Sequence, residues 1–303
     1  MMDLILHHYD QSPYSEKVRL IFGLKNLAWK SVIVPMVLPK PTLIPLSGGY
    51  RRTPVLQVGA DIYCDTLRIA AELDRRFPDP PVIDPKTEGL ANILGTWAER
   101  VLMWPTARYV TGMNHEALSE SFFADRAAMR GHPAPTMKQV EEALPHQRHQ
   151  LDLMLGWIEN MLSDGRPFLI TDRPGLGDLA VYQRLWWLGA LEGKAAHVLD
   201  PYPSINAWMA RIAAAGHGTR TELGPDEAIE VARNSEPEPL DCEAVPDLAI
   251  GTEVTVVTED YGLDGVRGTV VRATAHEISI KRVDPLVGIV HVHFPRLGYE
   301  LKE

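Results

Sequence analysis

Two short segments near the amino terminus constrain the fold of this chain more than any other feature. Ser12-Pro13-Tyr14-Ser15 lies between the apolar run 3–8 and residues 14–25, whose apolar side chains have helical spacing. This order predicts a strand that turns into a helix with two hydroxyls at its start. About forty residues later, Thr53-Pro54 precedes the apolar run Val55–Val58. Proline has no N–H to donate and is a frequent site of cis bonds in tight turns, so this segment predicts the start of an edge strand.

Composition and charge exclude several classes of function. The 303 residues include 30 basic and 40 acidic side chains, a net charge of −10, so a phosphate backbone would be repelled and nucleic acid is not an expected partner. No stretch is long and apolar enough for a membrane span, and the amino-terminal segment lacks the pattern of a secretory signal. Only two cysteines occur, Cys64 and Cys242, which argues against a disulfide scaffold and favours a cytoplasmic location.

Periodicity and proline-rich breaks divide the chain into four parts. Residues 1–82 have the order strand, helix, strand, loop, strand, strand, helix. Residues 87–221 predict an all-helical domain, and residues 222–246 predict a linker rich in Glu, Pro and Asp. Residues 247–303 alternate apolar and polar side chains in four or five short runs, which resemble a small all-β SH3-like barrel. A chain with 45% hydrophobic residues can bury the cores of such a multidomain protein.

The helical part carries its own local patterns. Its clearest predicted helices are Gly89–Met113, Met137–Leu162, Leu176–Leu191 and Ser204–Ala215. Pro105 is expected to kink the first of them. Asp178, near the start of the third, is expected to reach back to the helix amino terminus as half of a capping box, because Gly175 offers no side-chain acceptor.

The two amino-terminal motifs together resemble the thiol-handling corner of a thioredoxin-like domain in which both cysteines of a Cys-Pro-aromatic-Cys motif are serine. This arrangement is similar to the glutathione transferase family, and the resemblance covers residues 1–221. It implies an α/β thioredoxin-like domain followed by an all-α domain, glutathione as the substrate, and a cytoplasmic homodimer. The barrel at residues 247–303 lies outside the resemblance.

The resemblance also implies which hydroxyl assists the thiol. Glutathione reacts as a thiolate, and a thiol of ordinary pKa, about 8.5, is mostly protonated at neutral pH. A hydroxyl donor beside the sulfur and a helix amino terminus would both lower that pKa. The family's serine and cysteine classes place the catalytic residue at the position of Ser12. Tyr9, near the position of the catalytic phenol in the tyrosine classes, and Ser15, which a helix start can also use as a cap, remain alternatives.

Two further motifs complete the implied glutathione site. The residue before the proline, Thr53, would pair its backbone with the cysteinyl part of glutathione, next to Pro54. Asp65-Thr66 resembles the family's acid-serine pair at a helix start, where the hydroxyl and backbone N–H groups receive the γ-glutamyl carboxylate and the acid faces the ammonium. Asp-Thr is also an ordinary helix cap, so the order and spacing of all the motifs carry the argument.

The remaining candidates concern the second substrate and metals. An electrophile pocket is expected beside the long helix near Trp104, Tyr109 and Met113. No metal is expected, because the histidine pairs His291/His293 and His146/His149 have no evident third ligand.

These patterns favour a glutathione transferase that conjugates the thiolate to a small hydrophobic electrophile. A non-catalytic protein of the same fold, whose barrel binds a partner, and a glutathione-dependent peroxidase or isomerase are the alternatives. The sequence leaves open the identity of the electrophile, the choice between Ser12 and Tyr9, and the role of the carboxyl-terminal part.

Overall fold

The protein, here a computed structural model, is described for residues 3–241, 245, 248–262 and 264–302, and Cys242 lies outside these ranges. The strands are β1 Ile5–His8, β2 Ala28–Ile33, β3 Val55–Val58, β4 Asp61–Cys64, β5 Thr219–Glu222, β6 Glu253–Thr258, β7 Val266–Ala273, β8 Glu277–Asp284, β9 Gly288–Pro295 and β10 Tyr299–Lys302. The α-helices are α1 Pro13–Leu24, α2 Leu43–Ser47, α3 Thr66–Arg76, α4 Glu88–Trp97, α5 Met103–Met113, α6 Glu120–Ala128, α7 Met137–Leu162, α8 Leu176–Ala190, α9 Pro203–Ala213 and α10 Pro225–Arg233.

The amino-terminal part is the expected thioredoxin-like domain. β1 pairs with β2 in parallel and with β3 antiparallel, and β3 and β4 form the predicted hairpin. Successive residues of β1 point to opposite faces, so Leu4 and Leu6 pack with the helical part while Ile5 packs on the other face. Both faces are covered, which explains why the strand reads as a continuous apolar run. The Thr53-Pro54 bond is cis.

The helical part surrounds α8, whose sequence is apolar on most sides. α8 packs against α1, α4 and α5. A π-helical segment, Ala98–Leu102, separates α4 from α5 ahead of Pro105, where the missing N–H breaks the α-helical ladder of the single helix predicted there. Asp178 accepts hydrogen bonds from the Gly175 N–H at 3.2 Å, the Leu169 N–H at 2.8 Å and Trp208 Nε1 at 3.0 Å, so it organises the start of α8 as expected.

The carboxyl-terminal strands do not form a separate closed barrel, which corrects that part of the predicted fold. They give an antiparallel order β10-β6-β7-β8-β9, and β9 then pairs in parallel with β4. Among the described residues this makes one open ten-stranded sheet, in the order β10-β6-β7-β8-β9-β4-β3-β1-β2-β5. The physical reason is that β4 is an edge of the amino-terminal sheet, and its unpaired backbone groups accept another strand.

Residues 222–246, expected to be a linker, carry regular structure over much of their length. β5 ends at Glu222 and adds in parallel to β2, and α10 follows with Ala228, Ile229 and Ala232 buried in the same core as the carboxyl-terminal strands. Three apolar side chains on one helical face suffice to hold a short acidic helix against a sheet. In the described part of the chain, no helix is both long and apolar enough to cross a membrane.

Candidate functional site

Ser12 is the N-cap of α1. Its Oγ accepts a hydrogen bond from the Ser15 N–H at 3.2 Å, its backbone oxygen accepts from the Glu16 N–H at 3.0 Å, and Pro13 is the first helical residue. The side chain is buried, and its hydroxyl hydrogen is not used in any hydrogen bond within the described residues. Ser12 therefore combines a helix amino terminus with an O–H that remains free to donate.

The two alternatives to Ser12 have different surroundings. Tyr9 is half-buried and lines a large cavity beside α5. Ser15 is fully buried and its Oγ has no hydrogen-bond partner within the described residues. Neither Ser12 nor Ser15 lines either of the two cavities described below, whereas Tyr14, between them, lines both. Burial raises the pKa of Tyr14 well above its ordinary value, so its phenol stays a donor.

Tyr14 was not among the residues predicted for the site, although it belongs to the motif Ser12-Pro13-Tyr14-Ser15. The available signal was its position in the first turn of α1, where a large side chain reaches past the cap. The Arg184 guanidinium lies 4.1 Å from the centre of the Tyr14 ring, in a cation–π contact.

Thr53 lines both cavities and lies directly before the cis proline. Its Oγ1 accepts a hydrogen bond from Lys40 Nζ at 2.8 Å, and Lys40 Nζ also donates to the Arg51 oxygen at 2.9 Å. Burial, together with the nearby charges of Arg126 and Arg51, lowers the pKa of Lys40 to about 7. The loop 35–49 thus contributes a lysine to the site.

Asp65 and Thr66 stand at the start of α3, and both line a polar cavity of about 100 Å³. Asp65 has φ 75°, a backbone angle that residues other than glycine rarely adopt, and its Oδ1 accepts from the Leu67 N–H at 2.9 Å. Its Oδ2 accepts a hydrogen bond from the Tyr299 hydroxyl at 3.1 Å. Burial raises the pKa of Asp65, so any cationic or O–H donor brought to this carboxylate stabilises it.

Residues of the carboxyl-terminal part line the polar cavity, which the amino-terminal motifs did not predict. These residues are Asp260, Tyr261 and 297–299, and we call them the cover. Arg52 forms an ion pair with Asp260 and lies 4.0 Å from the centre of the Tyr261 ring. The Tyr299 hydroxyl donates to Asp65, and its oxygen also lies 3.2 Å from the Tyr50 hydroxyl oxygen.

A second, apolar cavity of about 380 Å³ adjoins the first. Met103, Ala107 and Thr111 of α5 line it, together with Phe122 and Phe123 of α6. The spacing of the α5 residues, four apart, is that of one helical face.

The three residues expected in the electrophile pocket lie elsewhere on α5. Tyr109 is buried in the helical core with its hydroxyl 3.5 Å from His197 Nε2, and Met113 packs against that core. Trp104 is half-buried and contacts the ring of Tyr261 at 6.3 Å between centroids. The apolar cavity does border α5, but on the face that carries Met103, Ala107 and Thr111.

The two cavities share four lining residues, Tyr14, Arg52, Thr53 and Tyr261. A polar compartment built at the start of α3 therefore opens beside an apolar compartment, and Tyr14 and Thr53 of the amino-terminal motifs lie at their boundary. Such an arrangement can hold a polar thiol compound in one compartment and present its sulfur to an apolar partner in the other.

One group of side chains within the described residues has the geometry to hold a metal ion. Asp61, His291 and His293 have ligand atoms within 4.8 Å of one another. The expectation that the histidine pair lacks a third ligand was wrong, because the pairing of β4 with β9 places Asp61 opposite His291. His146 and His149 are exposed on α7 and belong to no such group in the part of the chain that the structure describes.

His293 of this group is within hydrogen-bond distance of two carboxylates, those of Asp61 and Glu277. His293 Nε2 lies 2.9 Å from Asp61 Oδ1, and its Nδ1 lies 3.0 Å from Glu277 Oε1. Burial opposes the charged imidazole, but the hydrogen bonds to Asp61 and Glu277 outweigh it and raise the pKa of His293. His293 also stacks on Tyr63 at 4.4 Å. The arrangement acts as a buried ion triad that joins β9 to β4.

Comparison with known proteins gives the family. Residues 6–81 match the model of the glutathione S-transferase N-terminal domain, and residues 113–215 match the model of the C-terminal domain. A GST-like protein from Pseudomonas syringae, of solved structure, is 34% identical over the full length of both chains, with a TM-score of 0.82. The chain therefore belongs to the glutathione S-transferase family. No curated protein matches it.

More distant solved structures share the fold alone. A glutathione S-transferase from Rhodospirillum rubrum is 20% identical, with 70% of this chain and 88% of that chain covered and a TM-score of 0.53. One from Methylobacterium radiotolerans, in complex with glutathione sulfonate, is 20% identical, with 73% and 97% covered and a TM-score of 0.52. The family models end at residue 215, whereas the Pseudomonas protein also spans the carboxyl-terminal strands.

Proposed function

We propose that this protein transfers the glutathione thiolate to a small apolar electrophile, with Ser12 as the hydroxyl that stabilises the thiolate. The sulfur forms a bond to the electrophilic carbon, and the leaving group departs with the bonding electrons. The observation that carries the proposal is the pair of adjoining cavities that share Tyr14 and Thr53. A donor at a helix amino terminus lowers the pKa of a bound thiol because it favours the anion.

The cysteinyl and γ-glutamyl parts of glutathione each have a proposed partner in the polar cavity. Thr53, before cis Pro54, pairs its backbone with the cysteinyl residue. The Thr66 hydroxyl and the first N–H groups of α3 receive the γ-glutamyl carboxylate, and Asp65 faces the ammonium. The ammonium would then compete with the Tyr299 hydroxyl for Asp65, because the Oδ2 of Asp65 already accepts a hydrogen bond from that hydroxyl.

The proposal includes a cytoplasmic homodimer active in detoxification, and an exposed apolar surface supports the dimer. α4 and α7 are adjacent, since the rings of Trp97 and Trp157 lie 6.3 Å apart. The large exposed apolar side chains on these two helices are Leu90, Ile93, Leu153, Trp157 and Met161. Exposed apolar surfaces of this kind commonly form subunit interfaces.

The test is the variant Ser12→Ala, assayed with glutathione and 1-chloro-2,4-dinitrobenzene. We expect kcat/KM to fall about 100-fold, the typical cost of removing one donor to a developing anion, and the pKa of bound glutathione to rise in a titration of thiolate absorbance. Ser15→Ala, the serine three residues on, is the matched control and should retain activity. Loss of activity in Tyr9→Phe or Tyr14→Phe, with activity retained in Ser12→Ala, would contradict the assignment.

One observation favours a non-catalytic protein of the same fold as the second candidate. The polar cavity is about 100 Å³ and Asp65 is already hydrogen-bonded to the protein's own Tyr299. Calorimetry with reduced glutathione separates the two functions, since the transferase must bind it at millimolar concentration or below. Absence of binding, with a partner protein captured through residues 248–302, would support the second candidate.

A further inference from the structure

The apolar cavity of this acidic protein is lined by basic side chains. Four of them have polar partners, and three do not, while no Asp or Glu of the described residues lines the cavity. The chain as a whole has a net charge of −10, so this concentration of positive charge is local. The four partnered residues are Lys40, Arg51, Arg52 and Arg126.

The partnered residues have hydrogen-bond acceptors within the protein itself. Arg51 and Arg126 share the carboxylate of Asp125, and Arg126 also donates to the Met36 oxygen at 2.9 Å. Arg52 is paired with Asp260, and Lys40 donates to the Thr53 hydroxyl and the Arg51 oxygen. These contacts occupy donors on that side of the cavity and leave its net charge positive.

Arg184 is the first of the three residues without an acidic partner. It is fully buried in α8, and its Nε and Nη2 atoms make no hydrogen bond within the described residues. Its guanidinium lies over the face of the Tyr14 ring. The carboxylate of Glu99 is close enough to attract Arg184, but it already forms an ion pair with Lys17 at 2.5 Å. A buried guanidinium with unused donors is costly unless a ligand satisfies it.

Arg108 and Arg130 complete the unpartnered set. Neither forms an ion pair in the part of the chain that the structure describes, and both lie over the ring of Trp104, at 6.0 Å and 4.9 Å. Burial, and then repulsion from Arg108, lowers the pKa of Arg130. An anion bound near these two like charges would reduce their repulsion.

We propose that the apolar cavity binds an organic anion, whose charge is stabilised by the unpartnered guanidinium groups of Arg130 and Arg184 and whose apolar body packs against Phe122 and Phe123. Arg108 adds positive charge at the exposed side of the cavity. The inference rests on the proposed function and names the class of its second substrate, an apolar electrophile that carries a carboxylate. A guanidinium with free donors suits a planar carboxylate, which accepts two hydrogen bonds at once.

The test is a binding comparison that needs neither glutathione nor turnover. The probes are 3,5-dinitrobenzoate and its methyl ester, which have the same ring and differ in the charged group. We expect the full-length protein to bind the carboxylate about tenfold or more tightly than the ester, since hydrogen bonds to charged groups are worth at least that factor. Arg130→Met and Arg184→Met should each lose that preference while binding the ester within twofold of the original affinity.

The matched control is Arg211→Met, an exposed arginine on α9 that lies outside the cavity, and it should keep the preference. Equal or tighter binding of the ester, or a preference that survives in both cavity variants, would overturn the inference. Arg130 is half-buried, so its variant keeps the test decisive even where the Arg184 variant fails to fold. Because the probes are unreactive, a failure here is distinct from a failure of the transferase activity measured on Ser12→Ala.

Discussion

Two of the contacts between the carboxyl-terminal part and the amino-terminal domain differ in chemistry. At the seam, the pairing of β9 with β4, Asp61 and His293 are each 1% exposed and His293 bridges two carboxylates. At the cover, the Asp260 side chain is 35% exposed and the contacts fall on Arg52 and Asp65, residues of the polar cavity. The seam therefore fastens the strands to the domain, whereas the contacts of the cover are ones that a ligand can replace.

The seam can be broken with His293→Phe, for which we expect the largest effect. Phenylalanine keeps the stack on Tyr63 but removes both N–H groups, so Asp61 and Glu277 stay buried without the cation between them. Loss of one partner in a buried ion group costs about 3–5 kcal/mol. Urea unfolding followed by circular dichroism measures that loss.

The loss should depend on pH in a defined way. The pKa of His293 is raised in the fold, so its contribution is complete below the ordinary value of 6.5 and disappears as pH rises through the raised value. The pKa of Glu277 is lowered to about 2, mainly by the hydrogen bond from His293 acting against burial, so its contribution is complete above 4.5 and disappears as pH falls through about 2. The difference between the original protein and the variant should be largest between these two ordinary values.

His291→Phe, two residues along the same strand, is the control for this pH dependence. Burial lowers the pKa of His291, and its Nδ1 has no hydrogen-bond partner within the described residues. We expect a loss below about 1 kcal/mol. An equal loss in both variants, or a loss for His293→Phe that does not vary with pH, would mean that the ion triad does not fasten the seam.

The cover can be loosened with Tyr299→Phe. This change keeps the ring packed on Phe294 and removes the hydroxyl that occupies Asp65 and Tyr50. We expect stability to fall by about 1 kcal/mol, the net worth of a hydrogen bond, and glutathione affinity to rise about fivefold because its ammonium no longer displaces a donor. Calorimetric titration with reduced glutathione measures the affinity.

Tyr202→Phe provides the matched control for Tyr299→Phe. The Tyr202 hydroxyl donates to the Asp152 oxygen at 3.2 Å in the helical part, away from both cavities. Its stability loss should be similar and its glutathione affinity unchanged. Weaker binding in Tyr299→Phe would show instead that the hydroxyl contacts the ligand.

The comparison also separates what sequence can reveal from what it cannot. The turn at Ser12, the hairpin after Pro54 and the bounds of α7 follow from local rules, because caps, prolines and helical spacing act within a few residues. The seam and the cover join residues more than 200 positions apart, such as Asp61 with His293 and Arg52 with Asp260. No local pattern encodes which strand edge accepts which partner.

The site shows the same division at a finer scale. The order of the motifs placed Thr53, Asp65 and Thr66 around one cavity, because each lies at a strand or helix end that the fold brings together. The lining of the apolar cavity depends on how α5 is rotated about its axis against α6, which the sequence does not show. An aromatic residue such as Tyr109 can pack in the core as well as line a pocket. The unpaired state of Arg184 depends on every neighbouring element, so only the assembled structure reveals it.

Asp260→Asn should have the smallest effect and tests whether the cover competes for Arg52. Asp260 is partly exposed, so its ion pair contributes at most about 0.5 kcal/mol to stability. Arg52 stays over the Tyr261 ring and lines both cavities, so the freed guanidinium is positioned for a carboxylate of glutathione. We expect glutathione affinity to rise about twofold to threefold in calorimetry at low salt, and the gain to shrink at high salt.

Glu259→Gln, which loosens the exposed pair with Arg100, should leave affinity unchanged. An equal gain in both variants would assign the effect to the overall charge of the cover, and no gain would mean that Asp260 holds Arg52 in its binding position.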